Sequence, residues 1–330
     1  MLPISYYLPQ KIVSNIDLQN EFVGWNAEKI SKKIGISSRH IAAENETALD
    51  MAEKAANKLF DEYQIQKDEI DFVLLCTQSP DYFLPTSACI LQNRLGLKKS
   101  VGALDYNLGC SGFVYGLAVA KGLLTAGIAS NVLLVTAETY SKHIYKLDRG
   151  NRSIFGDAAA ATLISKDSIG SIGDFVLGTN GAGADNLIVR NGGCRNKYDP
   201  NAELKESTAK SFYTDNYLFM NGPEIFNFTI ETVPKLIQDT LTKNNLNIEE
   251  ISFFVFHQAN AYMLKYLRTI MEIPAEKFWI GMGEMGNTVS ASIPIALKEA
   301  FASGAICAGQ TIMLSGFGVG YSFGAVPITI

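Results

Sequence analysis

Three residues suited to thiol chemistry stand where the pattern of this chain changes. Cys110 lies in LGCSGF, after the apolar run VGALDYNL, which suits a buried strand. After it, Phe113, Val114, Leu117, Ala118 and Leu124 follow helical spacing. Gly109 and Gly112 flank the cysteine and allow a tight turn. A cysteine at a strand-to-helix turn faces free N–H groups and the helix dipole, which favour an anion. This predicts a thiolate, the form that attacks a carbonyl carbon. Hydrolases hold a nucleophilic serine on a similar sharp turn. A buried structural role is the commoner fate of a lone cysteine. His257 ends the apolar strand VFHQAN and is one of three histidines, with His40 and His143. Strand ends of this kind are where α/β folds place ligands. Asn287 stands among glycines in GEMGNTVSAS, company that also suits a plain turn asparagine. SGFGVG at 315–320 is a glycine-rich bend whose backbone N–H groups suit an oxyanion.

Cysteine, histidine and asparagine together fit two chemistries. In a cysteine hydrolase, histidine is the base and asparagine orients it. In acyl transfer with carbon–carbon bond formation, a thiolate takes an acyl group. Histidine and asparagine then donate hydrogen bonds to a thioester oxygen that becomes an enolate. Asparagine does not titrate, so it remains a donor throughout.

The elements that must position these residues alternate between strand and helix, which implies an α/β layered sheet. TALDMAEKAANKLFDEY (47–63) reads as a helix, with Thr47 as N-cap and Asp50 three residues on. IDFVLLCT (70–77), NVLLVTAET (131–139) and IFGDAAAATLIS (154–165) read as strands, and SPDYFLPTSA (79–88) as a loop entering a helix. In the second half, SIGDFVLGTNG (171–181) is a strand, 190–216 a polar, irregular insertion and 222–245 a long helix. ISFFVFHQAN (251–260) is a strand running into a helix. The segment 278–304 is a strand, a glycine turn and a helix, and 311–330 closes with two strands about a bend.

The halves resemble one another. Registering Ile70 on Ile251 places Cys76 over His257. Registering Gly127 on Gly304 places Cys110 over Asn287. The expected division is 1–170, carrying the nucleophile, and 171–330, carrying His257 and Asn287. Packed about a pseudo-twofold axis, the halves would bring all three residues to their junction.

Bulk properties narrow the field. The 330 residues are 47% hydrophobic and 18% charged, ordinary for a large globular core. A net charge of −5 gives no sign of nucleic-acid binding, and no apolar run reaches membrane-span length. The N-terminus lacks the basic and apolar regions of a signal peptide. Five cysteines without a CxxC pair argue against a disulfide scaffold or a zinc site, so a reducing cytoplasm is expected.

Taken in order, GCSGF at Cys110, FGDAAAA at 155–161, HQAN at 257–260, GNT at Asn287 followed by SxxIPIAL, and the closing GFGVGYSFG resemble the thiolase-like condensing enzymes. The similarity is greatest to β-ketoacyl-acyl-carrier-protein synthase III and spans nearly the whole chain. It implies a duplicated thiolase-like fold of five layers, α/β/α/β/α, with a homodimer interface.

The resemblance also implies roles. A primer thioester would acylate Cys110. His257 and Asn287 would promote decarboxylation of malonyl-ACP, and the carbanion would condense with acyl-Cys110 to give 3-oxoacyl-ACP. The amide of Cys110 and one in the Gly318–Val319 bend would form the oxyanion hole, although the family has a glycine where Val319 stands. Phe83 and Leu84 fall on the loop that sets acyl-chain length, often across the dimer. Arg149 matches a coenzyme A contact, but the family's tryptophan position falls near Lys29, and Trp25 lies a turn earlier. Asn221 and Gly222 are further candidate substrate contacts. Lys33, Lys265 and Arg268 are candidate contacts for an acidic carrier protein, while Tyr262 replaces a basic residue of the family. Acyl-CoA or an acyl carrier protein would deliver the primer, no cofactor is implied, and the insertion is a candidate cap over the entrance. Two other readings remain: transfer of the acyl group to an oxygen or nitrogen nucleophile, and a non-catalytic subunit paired with a catalytic relative.

Overall fold

Alternation along one strand sets the layering. Val73 and Leu75 bury against one sheet of helices and Leu74 against another, as a strand with helices on both faces requires. The computed structural model describes residues 2–207 and 211–330. The chain opens with β1 (Ile4–Tyr7), β2 (Lys11–Ser14), α1 (Asn15–Glu21), α2 (Ala27–Ile34), β3 (Ser38–Ile41) and α3 (Ala48–Tyr63). It continues through β4 (Phe72–Cys76), α4 (Ser87–Arg94), β5 (Gly102–Tyr106), α5 (Gly112–Thr125), β6 (Asn131–Glu138), α6 (Arg149–Ile154) and β7 (Ala158–Ser165). Next come β8 (Val176–Thr179), β9 (Leu187–Ile188), β10 (Lys205–Glu206), β11 (Phe212–Tyr213) and β12 (Phe219–Met220). The last elements are α7 (Gly222–Lys243), β13 (Phe253–Phe256), α8 (Ala261–Ile270), α9 (Ser292–Ala302), β14 (Thr311–Gly318) and β15 (Ser322–Thr329).

The first sheet has the order β1-β7-β6-β4-β5 and the second β8-β15-β14-β13. In each, the strand that leads to the site pairs in parallel with an inner neighbour, β5 with β4 and β13 with β14. The expected strand at 278 shrinks to a single parallel bridge between Phe254 and Phe278. The physical reason is a tertiary contact: the Gly281 N–H turns to the Gln258 side chain at 2.8 Å, so the chain leaves the sheet.

Three helix layers complete the thiolase-like fold. α3 and α4 cover the outer face of the first sheet, and α7 and α8 that of the second. The Thr47 side chain and amide exchange hydrogen bonds with Asp50 at 3.2 and 2.9 Å, forming the capping box that starts α3. α5 and α9 lie between the sheets in one shared core, where Val114, Leu117, Ile293 and Leu297 meet Leu134 and Leu314. α5 is largely apolar because most of its length is buried, with Val119, Gly122 and Thr125 exposed, and each leucine buried in it contributes about 1.5–3 kcal/mol. The shift that brings Gly127 onto Gly304 carries 112–125 onto 289–302, the span of a 3-10 turn at Val289–Ala291 followed by α9.

The 190–216 segment is not wholly irregular. β10 pairs with β11, β9 pairs with β12, and the Phe212 amide donates to the Leu147 carbonyl. Residues 208–210 of this segment lie outside the described residues. No helix among the described residues is long and apolar enough to cross a membrane.

Candidate active site

Cys110 closes the turn from β5 into α5 and is 6% exposed. Ser111, the residue before the helix, uses its hydroxyl on Ser322 at 2.6 Å and not as a helix cap. The turn lies directly on β14. A Cβ on Gly318 would stand 2.7 Å from the Cys110 sulfur, so only glycine lets the strand pass this close. The amides of Val319 and of Cys110 itself hydrogen-bond the sulfur. Val319 fits despite its side chain because its neighbour is Gly109, where a Cβ would come within 2.7 Å of the Val319 Cγ1.

His257 follows β13, held by its amide on the Ser315 carbonyl at 2.8 Å. Its Nδ1 lies 2.7 Å from the Ser292 Oγ, which also accepts the Gln258 amide at 3.3 Å. The Val289 carbonyl faces the ring as well. With the Ser292 hydroxyl donating to Nδ1, the His257 proton stands on Nε2. Asn287 is pinned at its backbone by the Ile154 carbonyl and at its side chain by the Val289 amide, which donates to Oδ1 at 2.9 Å. That bond leaves the Asn287 NH₂ group as the free donor.

Val289 ties the three together. Its side chain packs in the Cys110 cluster, its amide holds Asn287 and its carbonyl faces His257. It does so at φ +54°, a left-handed conformation that is strained for a β-branched residue.

The expectation of a resting thiolate is overturned. Burial pushes the Cys110 thiol up to about 12, outweighing the two amides that favour its anion, and the Glu138 carboxylate adds to the rise. Burial also lowers His257 to about 3, against the Val289 carbonyl. The pair therefore rests as neutral thiol and neutral imidazole. A helix N-terminus favours an anion, but not enough to offset complete desolvation of the sulfur.

A cavity of about 550 Å³, the candidate mouth, borders the apolar cluster around Cys110 and shares Ile154, Leu218 and Met220 with it, while Cys110, His257 and Asn287 are not among its lining residues. Lys33 and Gly222 line it, as do Ser211 and Tyr213 of the insertion. Arg149 begins α6 between two other lining residues, Asp148 and Gly150. Asn221 caps the chain before α7 and donates to the Asn186 side chain at 3.2 Å. Lys265 is exposed on α8, whereas Arg268 turns back to the Ile273 carbonyl at 3.0 Å and so serves that helix's end. Lys29 and Lys33 sit one turn apart on α2. Phe83 and Leu84 are not brought to Cys110 within the chain: they are 81% and 82% exposed on their loop.

Ser292, Val289 and Tyr140 are site residues that the sequence reading missed. Ser292 lies inside the SxxIPIAL motif, five residues after Asn287, which was its available signal. Tyr140 packs in the Cys110 cluster and donates to the Gln78 side chain at 3.0 Å, and nothing local in the sequence marks it.

Comparison with known proteins places this arrangement. Two family patterns match: 3-oxoacyl-[acyl-carrier-protein (ACP)] synthase III over residues 104–181, and its C-terminal part over 241–330. β-Ketoacyl-[acyl-carrier-protein] synthase III of Fusobacterium nucleatum is 35% identical over 329 residues, 98% of this chain and 96% of that protein. The same enzyme of Sulfurimonas denitrificans is 37% identical over 328 residues, again 98% and 96%. A crystal structure of a 3-oxoacyl-(acyl-carrier-protein) synthase III superimposes with a TM-score of 0.97 at 46% identity, over 99% of this chain and 98% of that one.

Proposed function

The chain belongs to the 3-oxoacyl-[acyl-carrier-protein] synthase III family of acyl-transferring condensing enzymes, and we propose that Cys110, His257 and Asn287 divide its reaction as follows. The Cys110 sulfur attacks the carbonyl of a primer thioester. Its proton leaves with the carrier thiol, and the amides of Cys110 and Val319 stabilise the tetrahedral oxyanion. A malonyl-ACP then enters through the mouth. Nε2–H of His257 and the NH₂ of Asn287 donate to its thioester oxygen, CO₂ departs and the enolate forms. The enolate carbon attacks acyl-Cys110, the carbon–sulfur bond breaks, and the sulfur takes a proton from solvent. The product is 3-oxoacyl-ACP. The scheme calls on no cofactor.

The observation that carries this reading is the pair of hydrogen-bond chains, Gln258 to Ser292 to His257 and Val289 to Asn287, which leaves two neutral donors beside the nucleophile. A hydrolase would need His257 as a base paired with a thiolate, and burial opposes both charges. Transfer to an oxygen or nitrogen nucleophile would leave Asn287 without a task. A non-catalytic subunit would leave the whole constellation without one.

We further propose a homodimer, supported by the exposed Tyr82, Phe83 and Leu84 and by the unpaired outer edge of β5, where Leu104 is exposed. In it the loop would reach the partner's site. Free cysteines, two of them buried, suit the cytoplasm. The mouth offers Lys33 and Arg149 to a pantetheine carrier, with Lys265 beyond it on α8, and carrier-bound primers are favoured over CoA because Lys29 stands where an adenine would need an aromatic face. Intact-protein mass spectrometry with acyl-CoA and acyl-ACP donors tests the scheme. An acyl mass on the wild type that is absent in Cys110→Ser, followed by malonyl-dependent CO₂ release, is expected. Acylation without CO₂ release would move the assignment to simple acyl transfer.

A further inference from the structure

A second cavity, of about 370 Å³, lies behind α6. The helix turns Asn151 and Ile154 to the mouth and Arg152 to this cavity, so the two are separate. Leu18, Phe22, Ile144 and Phe155 give it an apolar body. Its charge is one-sided: Lys11, Arg39, Lys146 and Arg152 line it, and among the described residues Glu21 is its one lining carboxylate. Arg152 already takes Glu21, through hydrogen bonds of 2.6 and 3.2 Å. Lys11 and Lys146 are exposed and enter none of the ion pairs among the described residues.

Arg39 is the unusual member. It is fully buried, yet its guanidinium meets neutral acceptors: the Val13 carbonyl at 3.0 Å, the Asn15 side chain at 2.6 Å and the Ser153 carbonyl at 2.7 Å. Its Nε–H has no acceptor. Burial lowers its pKa to about 10, with Arg152 adding to the fall and Asp17 opposing it. A buried cation ordinarily has a carboxylate partner, and an isolated one is costly. Here the counter-ion's place is beside a cavity of ligand size.

We propose that this cavity, distinct from the mouth but sharing Ile144 and Phe155 with the Cys110 cluster, binds a small amphiphilic anion, an oxyanion head on a short apolar body. Arg39 and Arg152 bind the head, Lys11 and Lys146 draw it in from solvent, and the body lies along Leu18, Phe22 and Phe155. A carboxylate and a phosphate monoester share this chemistry, so octanoate and octyl phosphate are the probes, and the tighter one names the head. Octanol has the same body without the charge.

The test is calorimetric titration of the full chain. At least one of the two anions is expected to bind saturably at one site, with octanol at least ~10-fold weaker, as loss of a charge-assisted contact implies. Lys146→Glu and Lys11→Glu, both surface changes, are each expected to weaken the anion by about 10-fold, while Lys33→Glu at the mouth leaves it unchanged. Equal binding of octanol would show an apolar sink and overturn the proposal. So would a loss in Lys33→Glu with none in Lys146→Glu, or no saturable binding of either anion.

Discussion

The two halves place related turns at the same point of related sheets and use them differently. In the first half, the residue that ends β4 is Cys76, locked inward with its thiol donating to the Leu108 carbonyl at 2.9 Å. Its counterpart beyond β13 is His257, turned to the site. The turn before α5 carries Cys110 with amides aimed at its sulfur, and the equivalent turn before α9 carries Asn287 with its NH₂ group free. The repeated frame offers two matched pairs of positions, and three of their four side chains carry the proposed chemistry. In the proposed scheme one half holds the nucleophile, and the other holds two neutral donors.

The largest expected effect breaks this division at its nucleophile. Cys110→Ser should abolish acyl capture by at least ~10³-fold, read as missing acyl mass, since removal of a nucleophile is not offset by the residues around it. Next come the donors. His257→Ala and Asn287→Ala should each acylate Cys110 normally and lose ~10²–10³-fold in malonyl-dependent CO₂ release, the usual loss for one such donor. Loss at the acylation step would erase the proposed boundary between the halves.

The pH profile sharpens the comparison next. With Cys110 pushed up to about 12, the thiolate fraction rises about tenfold per pH unit across the working range. With His257 lowered to about 3, its imidazole does not titrate there. Alkylation of the Cys110 peptide by iodoacetamide should therefore climb from pH 6 to pH 9 without a plateau. A plateau near neutrality would restore the resting thiolate.

Ser292→Ala removes the hydrogen that fixes the His257 tautomer. Condensation should fall about tenfold, the worth of one hydrogen bond, with acylation intact. The smallest effect belongs to Cys76, the inert counterpart of His257. Cys76→Ala should lower stability by about 1–2 kcal/mol and leave acyl transfer unchanged. A loss of activity there would mean that the matched positions are less different than they look.

Much of the frame was legible in the sequence. Alternating strands and helices, the Thr47–Asp50 cap and the repeat register all follow from local spacing, and the register holds through α5 and α9. So did the three residues Cys110, His257 and Asn287, which stand at element ends. What local pattern did not reveal depends on distant chain. The strand expected at 278 yields to the Gln258 side chain, more than twenty residues before it. The thiolate expected from a helix terminus yields to burial by β14 and the second half. Phe83 and Leu84 lie exposed on their loop, so the acyl-chain role expected of them is not displayed within one chain.

The shared middle layer has a consequence for cutting the chain. Leu74, Val132 and Leu134 of the first sheet and Val255, Ile312 and Leu314 of the second are covered by the same pair of helices. Across the seam, Tyr6 bonds Glu299 at 2.7 Å, and Lys298 bonds Glu62 and Tyr63. Fragments 1–170 and 171–330 would each be born with an uncovered face, insoluble apart and mutually rescuing when co-expressed. The intact polypeptide should melt in a single cooperative transition, since neither fragment owns a finished core.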